Sequence, residues 1–256
     1  MKVVILAGGF GTRLSEETEV KPKPMVEIGG RPILWNILKH YSKYGFNEFI
    51  VALGYKGDYI KRYMLDYYTL SGNITFDLKN RELTTHESRT EDWKVHLIDT
   101  GVGTLTGGRV KKLEPWLNDE TFMVTYGDGV SNIDLKALLE HHRNSGRLGT
   151  VSAVRPPARF GELIFDGDAI AQFSEKPQTG HGWINGGFMV FEPDVFGKFR
   201  SDDISLEAEL LEQLAEEQQL SAYRHPGFWQ CMDTMRDVTL LRTLWEKGDA
   251  PWRIWR

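Results

Sequence analysis

The chain has 256 residues, 41% hydrophobic and 26% charged, and its 31 basic and 36 acidic side chains leave a formal charge of −5. That balance excludes the broad basic field of a nucleic-acid-binding protein, and no apolar run reaches the length of a membrane-spanning helix. Cys231 is the only cysteine, which excludes an internal disulfide and a cysteine-built zinc site, and no neighbour in sequence would activate it as a nucleophile.

Residues 2–7 form a short β-branched run that ends in Gly8-Gly9. It is too short for a secretory signal, so a cytoplasmic protein is expected, and it suits a strand buried on both faces of a parallel sheet. Pro32 starts a helix that carries Ile33, Leu34, Ile37, Leu38 and Tyr41 at helical spacing and stops at Gly45. A strand over 49–53 follows, then a helix with Ile60, Met64 and Tyr67 on one face, then a strand over 95–98. Residues 79–92, KNRELTTHESRTED, have almost no apolar content and read as an exposed loop.

Residues 106–116 predict a helix, 121–126 a strand that ends in YGDG, 134–144 a helix and 150–154 a strand. Between 160 and 192 the runs ELIF, IAQF and GGFMVFE are short and separated by turn residues, which predicts an antiparallel part. Helices are expected over 205–218 and 234–247, the second opened by Thr234 and Asp237 at capping-box spacing and followed by Gly248. The alternation defines an α/β fold, expected as a Rossmann-like three-layer arrangement around a mixed, mostly parallel sheet. No linker or repeat divides it, so residues 1–256 are expected to form one domain.

The stretch LAGGFGTRLSEETEVKPKPM, residues 6–25, looks built to hold a phosphate. A P-loop would need lysine and a hydroxyl residue after its last glycine, where Gly11 is followed by Thr12-Arg13. A dinucleotide fingerprint would need a third glycine where Leu14 stands. Pro22 and Pro24 bias Lys21 and Lys23 toward extended backbone, so the loop is expected to stay unwound until Pro32. What remains is a glycine backbone able to approach a ligand closely, Arg13 as a forked donor and Lys23 as a compact cation, which suits a nucleoside triphosphate at the carboxyl edge of a parallel sheet. The plainer alternative is a strand-ending turn beside solvated lysines. By residue type alone, Asp128 is a turn residue and Asp233 a helix cap.

LAGGFGTRL followed by KPKPM resembles the signature of the sugar-1-phosphate nucleotidylyltransferases. The resemblance continues through GYKGDYIKRY, DTG with TGGRVK, YGDGV, RFG, EKP, INGGFMVFEP and HPGFWQCMDT, in the family's order along nearly the whole chain. It implies that an oxygen of a sugar 1-phosphate attacks the α-phosphorus of a nucleoside triphosphate in line and releases pyrophosphate, with magnesium and without a covalent enzyme intermediate. YGDGV, GYKGDYIK and HPGFWQ with MDT are most similar to members that join CTP to glucose 1-phosphate, while thymidylyl and uridylyl transfer, or a catalytically silent sensor, stay open.

The resemblance also assigns residues. Leu6, Ala7, Gly8 and Gly9 match the backbone that meets base and ribose, and Gly11, Thr12 and Arg13 match the wrap around the triphosphate. Lys23 matches the lysine at the α-phosphate, with Lys21 a less secure neighbour; Arg13 and Lys23 are the expected catalytic residues. Thr106, Gly107, Gly108, Arg109 and Gly127 fall in further nucleotide-binding stretches. Asp128 and Asp233 match the magnesium carboxylates. Gly161, Glu175, Lys176, Asn185 and Gly186 match the sugar-phosphate pocket. Residues 1–130 thus read mainly as the nucleotide half and 131–256 as the sugar-phosphate half. The family resemblance also implies a homo-oligomer, and suggests a hexamer. The seven histidines are assigned no role.

Overall fold

In the computed structural model every residue is described except 87–90, 118–119, 157–161, 167–168, 175–181, 202 and 256. The first apolar run forms β1 (Val3–Ala7) with every residue buried. Five parallel-type elements and one reversed strand join it: β2 (Glu48–Leu53), β3 (Lys94–Asp99), β4 (Phe122–Tyr126), β5 (Gly149–Val154), β6 (Ile184–Phe191) and β7 (Leu220–His225). Their order across the sheet is β7-β5-β6-β4-β1-β2-β3. Among the described strands of this sheet only β6 runs against its neighbours, β5 and β4; the sheet's other pairs are parallel.

Alternation along β1 explains the layering. Val3, Ile5 and Ala7 enter one core with α1 (Ile33–Lys43), which contributes Ile33, Leu34, Ile37, Leu38 and Tyr41. Val4 and Leu6 enter a second core on the opposite face, with Val110 and the apolar residues between Val195 and Leu214. A fully buried strand between two helical layers is the arrangement that a continuous β-branched run demands. α2 (Gly57–Thr69) follows β2, and α3 (Thr106–Lys112) follows β3. α4 (Leu135–Ser145) is capped by the Asp134 carboxylate, which accepts from Lys136 N and Ala137 N, and stops at left-handed Gly146. α5 (Met235–Glu246) opens with the expected Thr234–Asp237 capping box. Its chain then returns Trp252 to the first core, where the indole donates to Asn36 Oδ1 at 3.2 Å.

Several expectations change. The first loop is not unwound: Thr12–Leu14 and Lys23–Met25 are 3-10 turns, and Ser15–Thr18 is one helical turn. Buried Leu14 draws the loop inward, and Thr18 Oγ1 donates to Leu14 O and Gly11 O, at 2.8 and 3.1 Å. Pro24 fits the second position of its turn, where its missing N–H costs nothing. Of the expected loop over 79–92, Glu82–His86 instead pairs with Asn73–Asp77 as a hairpin, while 87–90 lie outside the described residues. Asp77 builds that turn by accepting from Lys79 N and Asn80 N, both at 3.0 Å. The hairpin stands in solvent, so its polar sequence carries no burial signal.

The helix over 106–116 breaks into α3 and Glu114–Leu117, because Pro115 has no N–H to continue the ladder. The helix over 205–218 begins as a π-helical turn, Leu206–Leu211, and becomes α-helical over Glu212–Glu216. ELIF and IAQF do pair as an antiparallel hairpin, Glu162–Asp166 with Ala169–Ser174, but GGFMVFE enters the central sheet as β6.

Trp252 is 1% exposed, so Trp252→Ala should lower the free energy of unfolding by about 3–5 kcal/mol. Urea unfolding followed by far-UV circular dichroism measures it; a loss below ~1 kcal/mol would contradict the packing given to the C-terminal segment.

Candidate active site

Register sets where ligands can bind. Ala7 pairs with Leu53, Leu53 with Asp99, and Leu6 with Tyr126, so β1 to β4 end at one edge. After β3 the chain crosses back to lay β4 on the other side of β1, so the strand order reverses between β1 and β4, and the carboxyl edge at such a switch is where open α/β sheets take their ligands. A cavity of about 560 Å³ lies there. Leu6 to Arg13, Lys23, Pro24, Val102 to Thr106, Arg109, Tyr126, Gly127, Asp128, Ser205, Glu207 and Asp233 line it. Its size suits a nucleotide.

Four charged groups from distant parts of the chain converge on it. Lys23 Nζ donates to Asp128 Oδ2 at 2.6 Å and to Asp233 Oδ1 at 2.5 Å. Arg13 Nη1 donates to the other Asp233 oxygen at 3.0 Å. Lys23 is delivered by its 3-10 turn, Asp128 by the loop after β4, and Asp233 by the residue before the α5 cap. Because Thr234 does the capping, the Asp233 side chain is free to face the cavity. Burial pushes the Lys23 ammonium down, but the charge of Asp128 and bonds to both carboxylates outweigh it and hold its pKa above the usual lysine value. Burial pushes Asp233 up; Lys23, then Arg13, outweigh that and hold it below the usual carboxylate range.

Two carboxylates aimed at one cation position present hard oxygen donors, the chemistry of a magnesium site completed by phosphate oxygens and water. Among the described residues no group of three or more His, Cys, Asp or Glu side chains gathers that could hold a metal alone. Cys231 Sγ lies 3.6 Å from Asp233 Oδ2, and burial and the surrounding carboxylates push its thiol up to about 12.

Arg109 borders the cavity and is turned to the backbone. Nη1 donates to Leu53 O, Thr100 Oγ1 and Gly101 O at 3.0, 2.7 and 2.8 Å. Nη2 donates to Gly8 O and Val102 O at 3.1 and 3.2 Å. The guanidinium thereby ties the ends of β1 and β2 to the loop after β3. Gly8 and Gly54 make room for it: a Cβ on either would lie 2.2 or 2.5 Å from guanidinium atoms. Nη1 and Nη2 are thus engaged by backbone carbonyls and the Thr100 hydroxyl, in a stretch that the resemblance assigned to nucleotide binding.

The remaining expected residues separate clearly. Leu6, Ala7, Gly8, Gly9, Gly11, Thr12, Thr106 and Gly127 line the cavity, while Gly107 packs its bare Cα against Ile204 and Leu206 instead. Lys21 pairs with Glu17 at 3.5 Å, away from the cavity. Asn185 and Gly186 line a smaller adjoining cavity with Asp128, Trp229 and Asp233. Gly161, Glu175 and Lys176 lie outside the described residues. Sequence reasoning missed Tyr126, Ser205 and Glu207, all on the main cavity wall. Only the position of Tyr126 just before Gly127-Asp128 could have pointed to one of them. No histidine lines the cavity among the described residues.

A mostly parallel sheet with a glycine loop, a lysine and two convergent carboxylates at its switch edge defines a nucleotidyltransferase. Residues 2–245 match the nucleotidyl transferase family, and the chain belongs to it. The chain is 49% identical to the glucose-1-phosphate cytidylyltransferase of Salmonella typhi over 256 residues, covering 100% of both chains. It is 43% identical, again over 100% of both, to a probable glucose-1-phosphate cytidylyltransferase of Bacillus subtilis. Among solved structures, HddC from Yersinia pseudotuberculosis superposes with a TM-score of 0.68 at 25% identity, covering 95% of this chain and 99% of that one. No helix among the described residues is long and apolar enough to cross a membrane.

The lysine–carboxylate cluster sets a stability prediction. The depressed Asp233 contributes stability that is present above the unfolded carboxylate pKa and lost as pH falls through the folded one. Raised Lys23 contributes stability present below the unfolded lysine pKa and lost as pH rises through the folded one. Lys23→Met should therefore cost about 1–3 kcal/mol at neutral pH, with the difference shrinking toward the acid side. Denaturant melts of both proteins across pH measure it, and a gap that is constant down through the carboxylate range would contradict the pairing.

Proposed function

We propose that this protein transfers the cytidylyl group of CTP to α-D-glucose 1-phosphate, giving CDP-glucose and pyrophosphate. The observation that carries this reading is the convergence of Lys23, Asp128 and Asp233 at the cavity mouth, beside the glycine loop. Identity of 49% across the whole chain to a glucose-1-phosphate cytidylyltransferase supports the choice of CTP and glucose 1-phosphate.

The chemical problem is to bring two anions together in line at one phosphorus, so positioning and charge neutralisation carry the catalysis. Asp128 and Asp233 would hold magnesium, which would supply positive charge to offset that of the reacting phosphates. Lys23 turns its ammonium to the α-phosphate, and Arg13 with the loop amides holds the departing pyrophosphate. Both cations pair with the carboxylates, and the phosphates of a nucleotide would offer them a second set of anionic partners. No general base is needed, because a phosphate monoester oxygen is largely ionised near neutral pH. Asn185 and Gly186, with Gly161, Glu175 and Lys176 on the strength of their sequence match, take the sugar phosphate.

The chain works as one domain on this reading, since β6 from the second half pairs with β4 from the first. It works as a homo-oligomer too. Phe76 and Leu83 face each other across the hairpin at 66% and 50% exposure, an apolar surface that a second copy would cover. Light scattering of the purified protein should give a mass above the 29.3 kDa of one chain, and a monomer at working concentration would refute the association.

The reaction itself is tested by pyrophosphate release from glucose 1-phosphate, magnesium and each of the four nucleoside triphosphates. CTP should support the fastest turnover, and faster turnover with another triphosphate, or none with CTP, would overturn the reading. Lys23→Ala and Asp128→Ala should each lower kcat by about 100-fold or more while the circular dichroism spectrum is unchanged.

A further inference from the structure

Glu207 stands on the cavity wall, yet the reaction as described gives it nothing to do. Its carboxylate gathers hydroxyls from three places. Oε1 accepts from the Tyr126 hydroxyl, and Oε2 accepts from Thr106 Oγ1 at 2.7 Å and Ser205 Oγ at 3.0 Å. Tyr126 ends β4 two residues before Asp128, Thr106 is the first residue of α3, and Ser205 caps the π-helical turn that carries Glu207 itself. A π-helical turn is rare and tends to occur where a side chain must be re-aimed at a functional site.

The rest of the Tyr126 ring is held as tightly. A Cβ on Gly187, which has φ +78°, would lie 2.4 Å from Tyr126 Cδ2, so the ring rests directly on the β6 backbone. Gly127 closes the turn with its N–H on Leu6 O at 3.0 Å. Burial pushes the Tyr126 phenol far up, and the Glu207 charge adds to this; burial pushes Glu207 up, but the Tyr126 and Thr106 hydroxyls outweigh it and hold the carboxyl below its usual value. An ionised carboxylate beside a cavity meant for polyphosphate repels the ligand, so its presence calls for a compensating task.

We propose that Glu207 is a positioning residue for the transfer reaction: through the Tyr126 hydroxyl it sets the end of β4, and so Asp128, at a fixed distance from the start of α3. This inference rests on the nucleotidyl-transfer reading. The strand end carries the group assigned to magnesium and the helix start borders the nucleotide, so slack between them misplaces the α-phosphate relative to Asp128. A shift of ~1 Å at such a point costs up to about 100-fold in rate.

The test is a double-mutant cycle between Tyr126→Phe and Glu207→Ala, with Glu207→Gln as the conservative variant that keeps an acceptor oxygen. Each single variant should lower kcat about tenfold, and the double variant should fall no further than Glu207→Ala alone, because both remove the same link. Glu207→Gln should return kcat to within about threefold of the unmodified protein. In parallel, Mn²⁺ binding in the presence of CTP, read by electron paramagnetic resonance, should weaken several-fold in Tyr126→Phe. Losses that multiply in the double variant, or a Tyr126→Phe protein with unaltered kcat and Mn²⁺ affinity, would overturn the inference. If Glu207→Ala does not fold, Tyr126→Phe and Glu207→Gln decide it by the same criteria. The Mn²⁺ titration needs no turnover, so an inactive unmodified protein would sink the proposed reaction and still leave this inference decided by metal affinity.

Discussion

The ammonium of Lys23, held between the carboxylates of Asp128 and Asp233, is the point on which the active edge of this protein depends. It joins residues 105 and 210 positions apart in the chain. Both oxygens lie within 2.6 Å of one nitrogen. Without a cation between them, the two carboxylates would repel by about 3 kcal/mol at an effective dielectric near ~20. The fold can hold the pair together only with positive charge at that place, and the same requirement makes the place suitable for a divalent metal. The geometry of the proposed site and its stability therefore draw on one electrostatic constraint.

A second constraint keeps the surrounding backbone still. The carbonyl oxygens at the ends of β1 and β2 and in the loop after β3 would otherwise point into a polar cavity with few fixed donors. Arg109 supplies those donors from below, with its guanidinium seated in the space that Gly8 and Gly54 leave. The first loop is fastened from the other side: Lys56 Nζ donates to Thr18 O, and Arg242 of α5 reaches Glu17 Oε1 at 2.9 Å and Glu27 O at 3.1 Å. The glycine backbone is thus free of side chains where a ligand approaches and restrained at both flanks, as close approach to an anion requires.

Particular residues mark what could be read in advance. Gly8, Gly9, Gly11, Arg13 and Lys23 were legible because a glycine loop after a buried strand, followed by fixed cations, is a pattern confined to a few residues. Asp128 and Asp233 were not legible by type, since aspartate is common in turns and at caps; the resemblance singled them out. β7 was missed because its sequence, LSAYRH, lies at the sheet edge and alternates poorly, and the hairpin before β3 was missed because it buries almost nothing. Glu207 gave no signal, as its one distinguishing feature is a set of hydroxyls from elsewhere in the chain.

The sequence by itself determined the alternation of strands and helices, the burial of β1 on both faces, the cap at Thr234, and a glycine loop followed by fixed cations. These follow from local periodicity and backbone stereochemistry, which act over a few residues. Only the tertiary structure decided that Lys23 meets both carboxylates, that Arg109 turns to carbonyls, that α5 restrains the first loop, and that Tyr126 leans on Glu207. Those pairings depend on strand order and on which carboxyl ends share an edge. A charged side chain chooses its partner from whatever sheet topology brings within hydrogen-bond reach, and that choice has no local signature.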